Sequence, residues 1–267
     1  MRVVKIFLVG PSGSGKTTTL MFLDKKARLV GEQHRRPTVD EIKAWGLDVE
    51  GFMEANNGNP LLVRTSTYPN FGQVIVTYNS SEDKFFINRE KRDVSDNSFI
   101  VTIVDGCGQQ CFYPYREGGA AGAYGILFIF DASRVESYTE KETGKFVYPY
   151  VYEIMSAFNE LYHFYKKGNV YGPVTRLNPM LPPVVILANK QDIVSDRLKD
   201  TKMGRVEFWN ALLRSYDPKF FGKYQYPMVE CCAIPMPKPY GLEEAIGILF
   251  YEIYKRLEIV SKSPGFR

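Results

Sequence analysis

Residues 3–17 read Val-Val-Lys-Ile-Phe-Leu-Val-Gly-Pro-Ser-Gly-Ser-Gly-Lys-Thr. The apolar run Val3–Val9 predicts a buried parallel strand, and the apolar spacing of three and four that follows predicts a helix over Lys16–Val30. Between them, Gly10–Thr17 matches the pattern G-x-x-x-x-G-K-[ST] in the strand–turn–helix context that the pattern requires. Glycines let backbone N–H groups turn inward around phosphate oxygens, so this stretch predicts a phosphate-binding loop. In such a loop Lys16 reaches the β- and γ-phosphates and Thr17 binds Mg²⁺.

The rest of the chain alternates short apolar runs with amphipathic segments. The alternation predicts an α/β fold with a mostly parallel central sheet that is covered by helices on both faces. Further strands are predicted at Leu61–Thr67, Gln73–Tyr78, Lys84–Asn88, Phe99–Val104, Ile126–Phe130, Val184–Leu187 and Tyr226–Val229. Further helices are predicted after a capping box at Thr38–Glu41 and over Tyr148–Tyr165, Arg205–Tyr216 and Leu242–Ile259.

Composition narrows the class of protein. With 267 residues, 45% of them hydrophobic, the chain has enough apolar side chains to form a core, so disorder is excluded as its dominant state. The net charge of +4 is too small to indicate a nucleic-acid partner. The four cysteines form no C-x-x-C and the chain has two histidines, which argues against a structural zinc site and favours reduced thiols in the cytoplasm. No apolar run is long enough to span a bilayer, so membrane contact would come from an exposed face or a partner.

A second motif, Asn189-Lys190-Gln191-Asp192, follows the predicted strand Val184–Leu187. The carboxyl ends of parallel strands border the ligand crevice in this class of fold. A carboxylate there can accept hydrogen bonds from the guanine N1–H and N2–H₂, a donor pair that adenine lacks. Asn189 and the stem of Lys190 can hold the plane of the base. The motif therefore predicts guanine nucleotides, GTP and GDP, as the ligands.

A third motif, Asp105-Gly106-Cys107-Gly108-Gln109, follows the predicted strand Phe99–Val104. An acid at this place can hold Mg²⁺ through water, and the Gly108 amide can touch the γ-phosphate. Gln109 is then placed to orient an attacking water. A strand-ending turn that Asp and Gly stabilise is the alternative interpretation of this motif.

Together these residues resemble the Ras superfamily of small GTPases. The three motifs and Glu230-Cys231-Cys232-Ala233 occur in the family's order, and Gly15-Lys16-Thr17-Thr18 is most similar to the Arf-related, bacterial polarity-type and archaeal members. The resemblance covers about residues 3–260 and implies a P-loop GTPase domain in which the Ala233 amide contacts the guanine carbonyl. Motifs and resemblance together assign catalysis to Lys16 and Gln109, and nucleotide contacts to Gly10, Ser12, Gly13, Ser14, Gly15, Lys16, Thr17, Thr18, Gly108, Asn189, Lys190, Asp192, Cys232 and Ala233.

Several features depart from the family pattern. Gly106-Cys107 replaces the usual Thr-Ala or Thr-Pro pair. Ser12 stands where Ras proper has Gly, and this difference favours slow intrinsic hydrolysis. The long stretch between Thr17 and Asp105 indicates an insertion around the first switch. We therefore expect a single domain over residues 1–267, with an insertion within about 31–98 and a long connection at about 167–183.

Because of the insertion, three threonines are candidates for the switch position. The family closes one threonine on Mg²⁺ and the γ-phosphate, just before the second strand. Thr67 precedes a credible strand and is the preferred metal ligand beside Thr17 and Asp105, with Thr65 next. Thr38 comes third, because its capping box explains it as the start of a helix.

The leading hypothesis is a Mg²⁺-dependent molecular switch that hydrolyses GTP slowly and signals to regulatory and effector proteins, including an activating protein and an exchange factor. One alternative is a non-hydrolysing, GTP-bound scaffold subunit, favoured by the changes at Gly106-Cys107 and by the insertion. Another is a P-loop kinase for small molecules, against which Asn189–Asp192 argues.

Overall fold

The structure is a computed structural model that describes residues 2–24, 70–88, 97–106, 119–166, 182–197, 201–218, 221, 226–233 and 240–262. Its strands are β1 (Arg2–Val9), β2 (Asn70–Asn79), β3 (Lys84–Asn88), β4 (Ser98–Asp105), β5 (Gly125–Asp131), β6 (Tyr138–Thr139), β7 (Phe146–Val147), β8 (Val184–Asn189) and β9 (Met228–Glu230). Its helices are α1 (Lys16–Leu23), α2 (Pro149–Lys166), α3 (Gln191–Arg197), α4 (Val206–Tyr216) and α5 (Leu242–Lys262).

Seven of these strands form one sheet in the order β3-β2-β4-β1-β5-β8-β9. β1 pairs in parallel with β4 and β5, and β8 pairs in parallel with β5 and β9. β2 runs antiparallel to both of its neighbours, β3 and β4. The sheet is therefore mixed but mostly parallel, which confirms the predicted α/β fold with a mostly parallel central sheet.

Helices cover both faces of the sheet, as predicted. On one face, Leu20 of α1 and Phe250 of α5 pack with the inward side chains of β1, β2 and β4. On the other face, Phe158 of α2 and Trp209 of α4 pack against β5 and β8. All seven residues of β5 are buried, as expected for a central parallel strand with apolar layers on both sides. Burial of each large apolar side chain stabilises the fold by roughly 1.5–3 kcal/mol.

Most predicted elements lie within a residue or two of the observed ones, and β3 has the predicted bounds. Helix α1 is the main correction, because it ends at Leu23 and not at Val30. Asp24 turns the chain into extended backbone, and its carboxylate accepts a hydrogen bond of 2.8 Å from the Gln73 N–H of β2. The short hairpin β6–β7 and helix α3 were not predicted.

Some predictions lie outside the described residues. They are the helix after Thr38, the strand Leu61–Thr67 and most of the connection at about 167–183. Of the stretch assigned to the insertion, the described part includes β2 and β3, and both strands belong to the central sheet. No helix in the described ranges has the length and apolarity that crossing a membrane requires.

The carboxyl ends of the central parallel strands meet at one edge of the sheet. Register pairs Leu8 with Asp105, and Asp131 with Asn189. Polar residues that follow four separate apolar runs are thereby brought together above β1, β4, β5 and β8. This edge carries the candidate site.

Candidate functional site

The loop between β1 and α1, residues Gly10–Gly15, is called the glycine loop. Gly10, Gly13 and Gly15 have φ values of 154°, 73° and 91°, which L side chains rarely adopt. Gly15 caps α1 without any side-chain hydrogen bond to the first helical N–H groups. The helix therefore presents its positive end and backbone donors toward the mouth of the loop, an arrangement suited to an anion.

Lys16 is buried and lies across the glycine loop. Its Nζ donates to the carbonyl oxygens of Gly10 (3.0 Å) and Pro11 (2.7 Å). A buried ammonium needs such partners because its desolvation is costly. The contacts hold the positive charge of Lys16 at the loop, where sequence reasoning expects phosphates.

Thr17 and Asp105, the two described residues assigned to Mg²⁺, are in contact. Thr17 Oγ1 donates to Asp105 Oδ2 at 2.7 Å, and the Asp105 side chain is buried at the end of β4. A hydroxyl and a carboxylate are hard oxygen donors, which suit Mg²⁺ and fit the predicted metal chemistry. Among the described residues there is no cluster of three or more His, Cys, Asp or Glu side chains that could hold a metal by themselves.

Asn189 connects the glycine loop to two further loops, Asn189–Asp192 and Cys231–Ala233, which are called the distal loops. Its Nδ2 donates to the Ser14 carbonyl oxygen at 2.9 Å. Its Oδ1 accepts from the Ala233 N–H at 3.3 Å and from the Cys231 thiol at 3.6 Å. One buried amide therefore joins three segments that are far apart in the sequence. The Ala233 amide, expected on the base, points to Asn189.

The distal loops also bring Asp192 and Cys232 together. The Cys232 thiol donates to Asp192 Oδ1 at 3.3 Å, which fixes one oxygen of a partly exposed carboxylate. The neighbouring Cys231 thiol is fully buried, and this burial, with a smaller contribution from Cys232, raises its pKa well above the ordinary value. Cys231 therefore stays a neutral donor to Asn189 at neutral pH.

Gln191 fastens the first distal loop to the protein body. Its Nε2 donates to the carbonyl oxygens of Ala188 (3.3 Å) and Gly204 (2.9 Å), and its backbone N–H donates to the Cys231 carbonyl. The residues before and after Lys190 are therefore both held by buried hydrogen bonds.

Lys190 has a partner that sequence reasoning missed. Its Nζ forms an ion pair of 2.7 Å with Asp131 Oδ2 at the carboxyl end of β5. Asp131 directly follows the apolar run Ile126–Phe130, so the strand-end argument that singled out Asp105 and Asn189 would also have found it.

Three predicted site residues lie outside the described residues. They are Gly108, Gln109 and Thr67, and the alternative threonines Thr65 and Thr38 lie outside as well. Their assignments remain predictions. The described site residues, by contrast, all lie at the same edge of the sheet.

Comparisons with known proteins give a likeness of shape only. No protein-family model matches the chain, and no curated protein matches it. Among solved structures the chain is similar to a bacterial selenocysteine-specific elongation factor, EF-Sec, with 14% sequence identity and a TM-score of 0.46. The match covers 97% of this chain and 29% of that one, so this chain spans less than a third of that protein's length. The chemistry of the site therefore rests on its own residues.

Proposed function

We propose that this chain is a GTP-binding molecular switch that slowly hydrolyses GTP to GDP and phosphate with Mg²⁺. The observation that carries the proposal is the Asn189 side chain, which joins Ser14 of the glycine loop to Ala233 of the distal loops. A phosphate-type loop and a guanine-type motif are thus parts of one hydrogen-bonded site, which supports a single ligand with both a triphosphate and a purine.

At the phosphate end, the groups available to the ligand are positive. The Lys16 ammonium and the backbone N–H groups at the start of α1 lie on the same loop. Fixed donors of this kind stabilise the charge that develops on phosphoryl oxygens during transfer, and they do so without reorganising. Lys16 therefore serves both binding and catalysis in the proposed mechanism.

At the base end, Asp192 supplies the selectivity. Its carboxylate, oriented by the Cys232 thiol, accepts from the guanine N1–H and N2–H₂. Adenine presents no matching donor pair, so the Asp192 oxygens would lose water contacts to the base without gaining hydrogen bonds in return. This arrangement favours GTP and GDP over ATP and argues against a small-molecule kinase.

Thr17 and Asp105 are the described residues that would hold Mg²⁺, which neutralises the β- and γ-phosphate charge when bound. Thr67 is proposed as the switch threonine, because β2 begins three residues later at Asn70 and the backbone of Asn70 is in register with Asp105. The chain therefore enters the sheet at the metal end of the site. Thr65 and Thr38 remain the alternatives.

Hydrolysis depends on Gln109, which we propose orients the attacking water. In this class an arginine supplied by a partner accelerates the reaction by roughly 10³–10⁵. We therefore expect slow single-turnover hydrolysis by the isolated chain and acceleration by an activating protein. Fast unaided hydrolysis would contradict the proposal, whereas retained GTP with no phosphate release would favour the scaffold alternative.

The base-selective step is tested by Asp192→Asn. Xanthine carries a carbonyl where guanine carries its 2-amino group, so an amide donor at position 192 suits xanthine. We expect GDP affinity to fall by at least about 100-fold and XDP affinity to rise, measured by calorimetry with each nucleotide. The Asn oxygen can still accept from Cys232, so folding is retained.

Asp83→Asn is the matched control. Asp83 also accepts a short side-chain hydrogen bond, from Tyr78 at 2.6 Å, but it lies in the turn between β2 and β3. Its substitution should leave both nucleotide affinities unchanged. An unaltered preference in Asp192→Asn, or stronger binding of ATP than of GTP by the natural chain, would overturn the assignment.

A further inference from the structure

The backbone N–H of Asp131 and both of its carboxylate oxygens are hydrogen-bonded or ion-paired. Its Oδ1 accepts from the backbone N–H (3.0 Å) and the hydroxyl (2.6 Å) of Ser133. Its own N–H donates to the phenol oxygen of Tyr150 at 2.9 Å. Tyr150 is buried, and this burial raises its pKa, so it remains a neutral phenol. The remaining oxygen, Oδ2, is therefore presented in a fixed direction.

That fixed oxygen binds the ammonium of Lys190 at 2.7 Å, and 7% of the Asp131 side chain is exposed against 26% for Lys190. Lys190 lies between Asn189 and Gln191, with a φ of 65° that is uncommon for a residue with a side chain. A lysine stem has four flexible carbons, and ordering it costs conformational entropy. The ion pair holds the end of this stem at the carboxyl end of β5.

We propose that Asp131 is a positioning residue for the purine: it anchors the Lys190 ammonium so that the Lys190 stem forms a flat wall of the base site. Asp131 acts through Lys190 and does not itself touch the ligand. The proposal rests on the proposed function, in which Lys190 lies beside the base. It adds a determinant of base affinity outside the Asn189–Asp192 motif, on a different strand of the sheet.

A double-mutant cycle tests this role. Asp131→Asn removes the charge that binds Lys190 but keeps an oxygen that accepts from Ser133, so the fold is preserved. We expect it to weaken GDP binding about tenfold, and Lys190→Met to weaken it by a similar factor. The double variant should bind no more weakly than Lys190→Met, because Asp131 has nothing left to position. The control Asp83→Asn should bind as the natural chain does.

The outcomes separate the two proposals. Absence of GDP binding by the natural chain overturns the proposed function and this inference together. Binding by the natural chain with independent, multiplicative losses in the cycle overturns the inference alone, since a purely structural Asp131 would act whether or not Lys190 is present. Unchanged affinity in Asp131→Asn also overturns it.

A second measurement needs no nucleotide. In the nucleotide-free chain, acetylation of Lys190 by an amine-reactive ester, followed by peptide mass spectrometry, reports how firmly the ammonium is held. Asp131→Asn should accelerate labelling of Lys190 several-fold and leave Lys84, on the far edge strand, unchanged. Equal labelling rates at Lys190 would overturn the anchoring step.

Discussion

The glycine loop takes its shape from backbone conformation, whereas the distal loops take theirs from side chains that reach across the fold. Gly10, Gly13 and Gly15 adopt unusual φ values within six consecutive residues. Asn189 and Asp192 instead depend on partners 40 or more positions away in the chain, including Ser14 and Cys232. The first kind of site is encoded locally, and the second exists only once the sheet has assembled.

Among substitutions in the two regions, we expect the largest loss of stability at Gly10. A β-carbon there would overlap the Ile129 carbonyl oxygen on β5, while one at Gly13 would meet no atom within 4 Å. We expect Gly10→Ala to lower the free energy of unfolding by about 4 kcal/mol or to prevent folding. Gly13→Ala should cost about 1–2 kcal/mol from backbone strain alone. Thermal or urea unfolding compares the two, and equal costs would contradict the packing argument.

Removal of the Asn189 side chain should come next in size. Asn189→Ala leaves the buried Ser14 carbonyl and the Ala233 N–H without this amide, so we expect a loss of about 3 kcal/mol in unfolding free energy. Asn79→Ala is the control, because Asn79 also accepts two hydrogen bonds, from Ser81, but in an exposed turn. Its cost should be under about 1 kcal/mol. If Asn189→Ala and Asn79→Ala lower the free energy of unfolding by similar amounts, the Asn189 hydrogen bonds contribute no more to stability than those of an exposed turn.

The two regions are joined at Gly15, which permits a sharper test. A β-carbon at Gly15 would overlap Asn189 Nδ2. Gly15→Ala should therefore cost about 2 kcal/mol in the natural chain and about 1 kcal/mol less in the Asn189→Ala background, where the overlap is gone. Unfolding of the four chains of this cycle measures the coupling. Strict additivity would mean that only the backbone strain at Gly15 matters.

The smallest effects are expected at the adjacent cysteines. Cys231 lies in the apolar layer, so Cys231→Ser should cost about 1 kcal/mol, while Cys232→Ser keeps a donor to Asp192 and should cost about half as much.

The raised pKa of Cys231 means that, above about pH 8.5, the unfolded chain loses the thiol proton before the folded chain does. The free energy of unfolding should therefore fall from pH 8.5 to 9.5 in the natural chain, and fall less in Cys231→Ser. Urea unfolding at several pH values measures both dependences, and the same dependence on pH in the two chains would contradict this prediction.

The sequence was enough to predict those elements whose determining residues are neighbours in the chain. The run Val3–Val9 followed by the glycine loop predicted β1, the turn and the start of α1, because strand, glycines and helix are contiguous. The end of α1 could not be predicted, since Asp24 stops it by binding the Gln73 N–H of a strand 49 positions away. The hairpin β6–β7 was missed because its two-residue strands show no apolar alternation.

The same division holds for the candidate site. The residue types of Thr17, Asp105, Asn189 and Asp192 were enough to predict that they share one edge of the sheet, because strand ends converge there. Which side chains bind one another was not predictable. The Cys232 thiol on Asp192 and the Ser14 carbonyl on Asn189 follow from register and side-chain direction. The position of Asp131 at a strand end could have been predicted, but its ion pair with Lys190 could not. Those properties belong to the assembled sheet.

Strand β8 ends at Asn189 and helix α3 begins at Gln191, so Lys190 alone makes the turn between them. A one-residue turn leaves little freedom, so any shift of Asp192 must also move the carboxyl end of β8, which is paired between β5 and β9. In the proposed switch, release of the nucleotide should therefore begin at the glycine loop and leave the base end of the site in place.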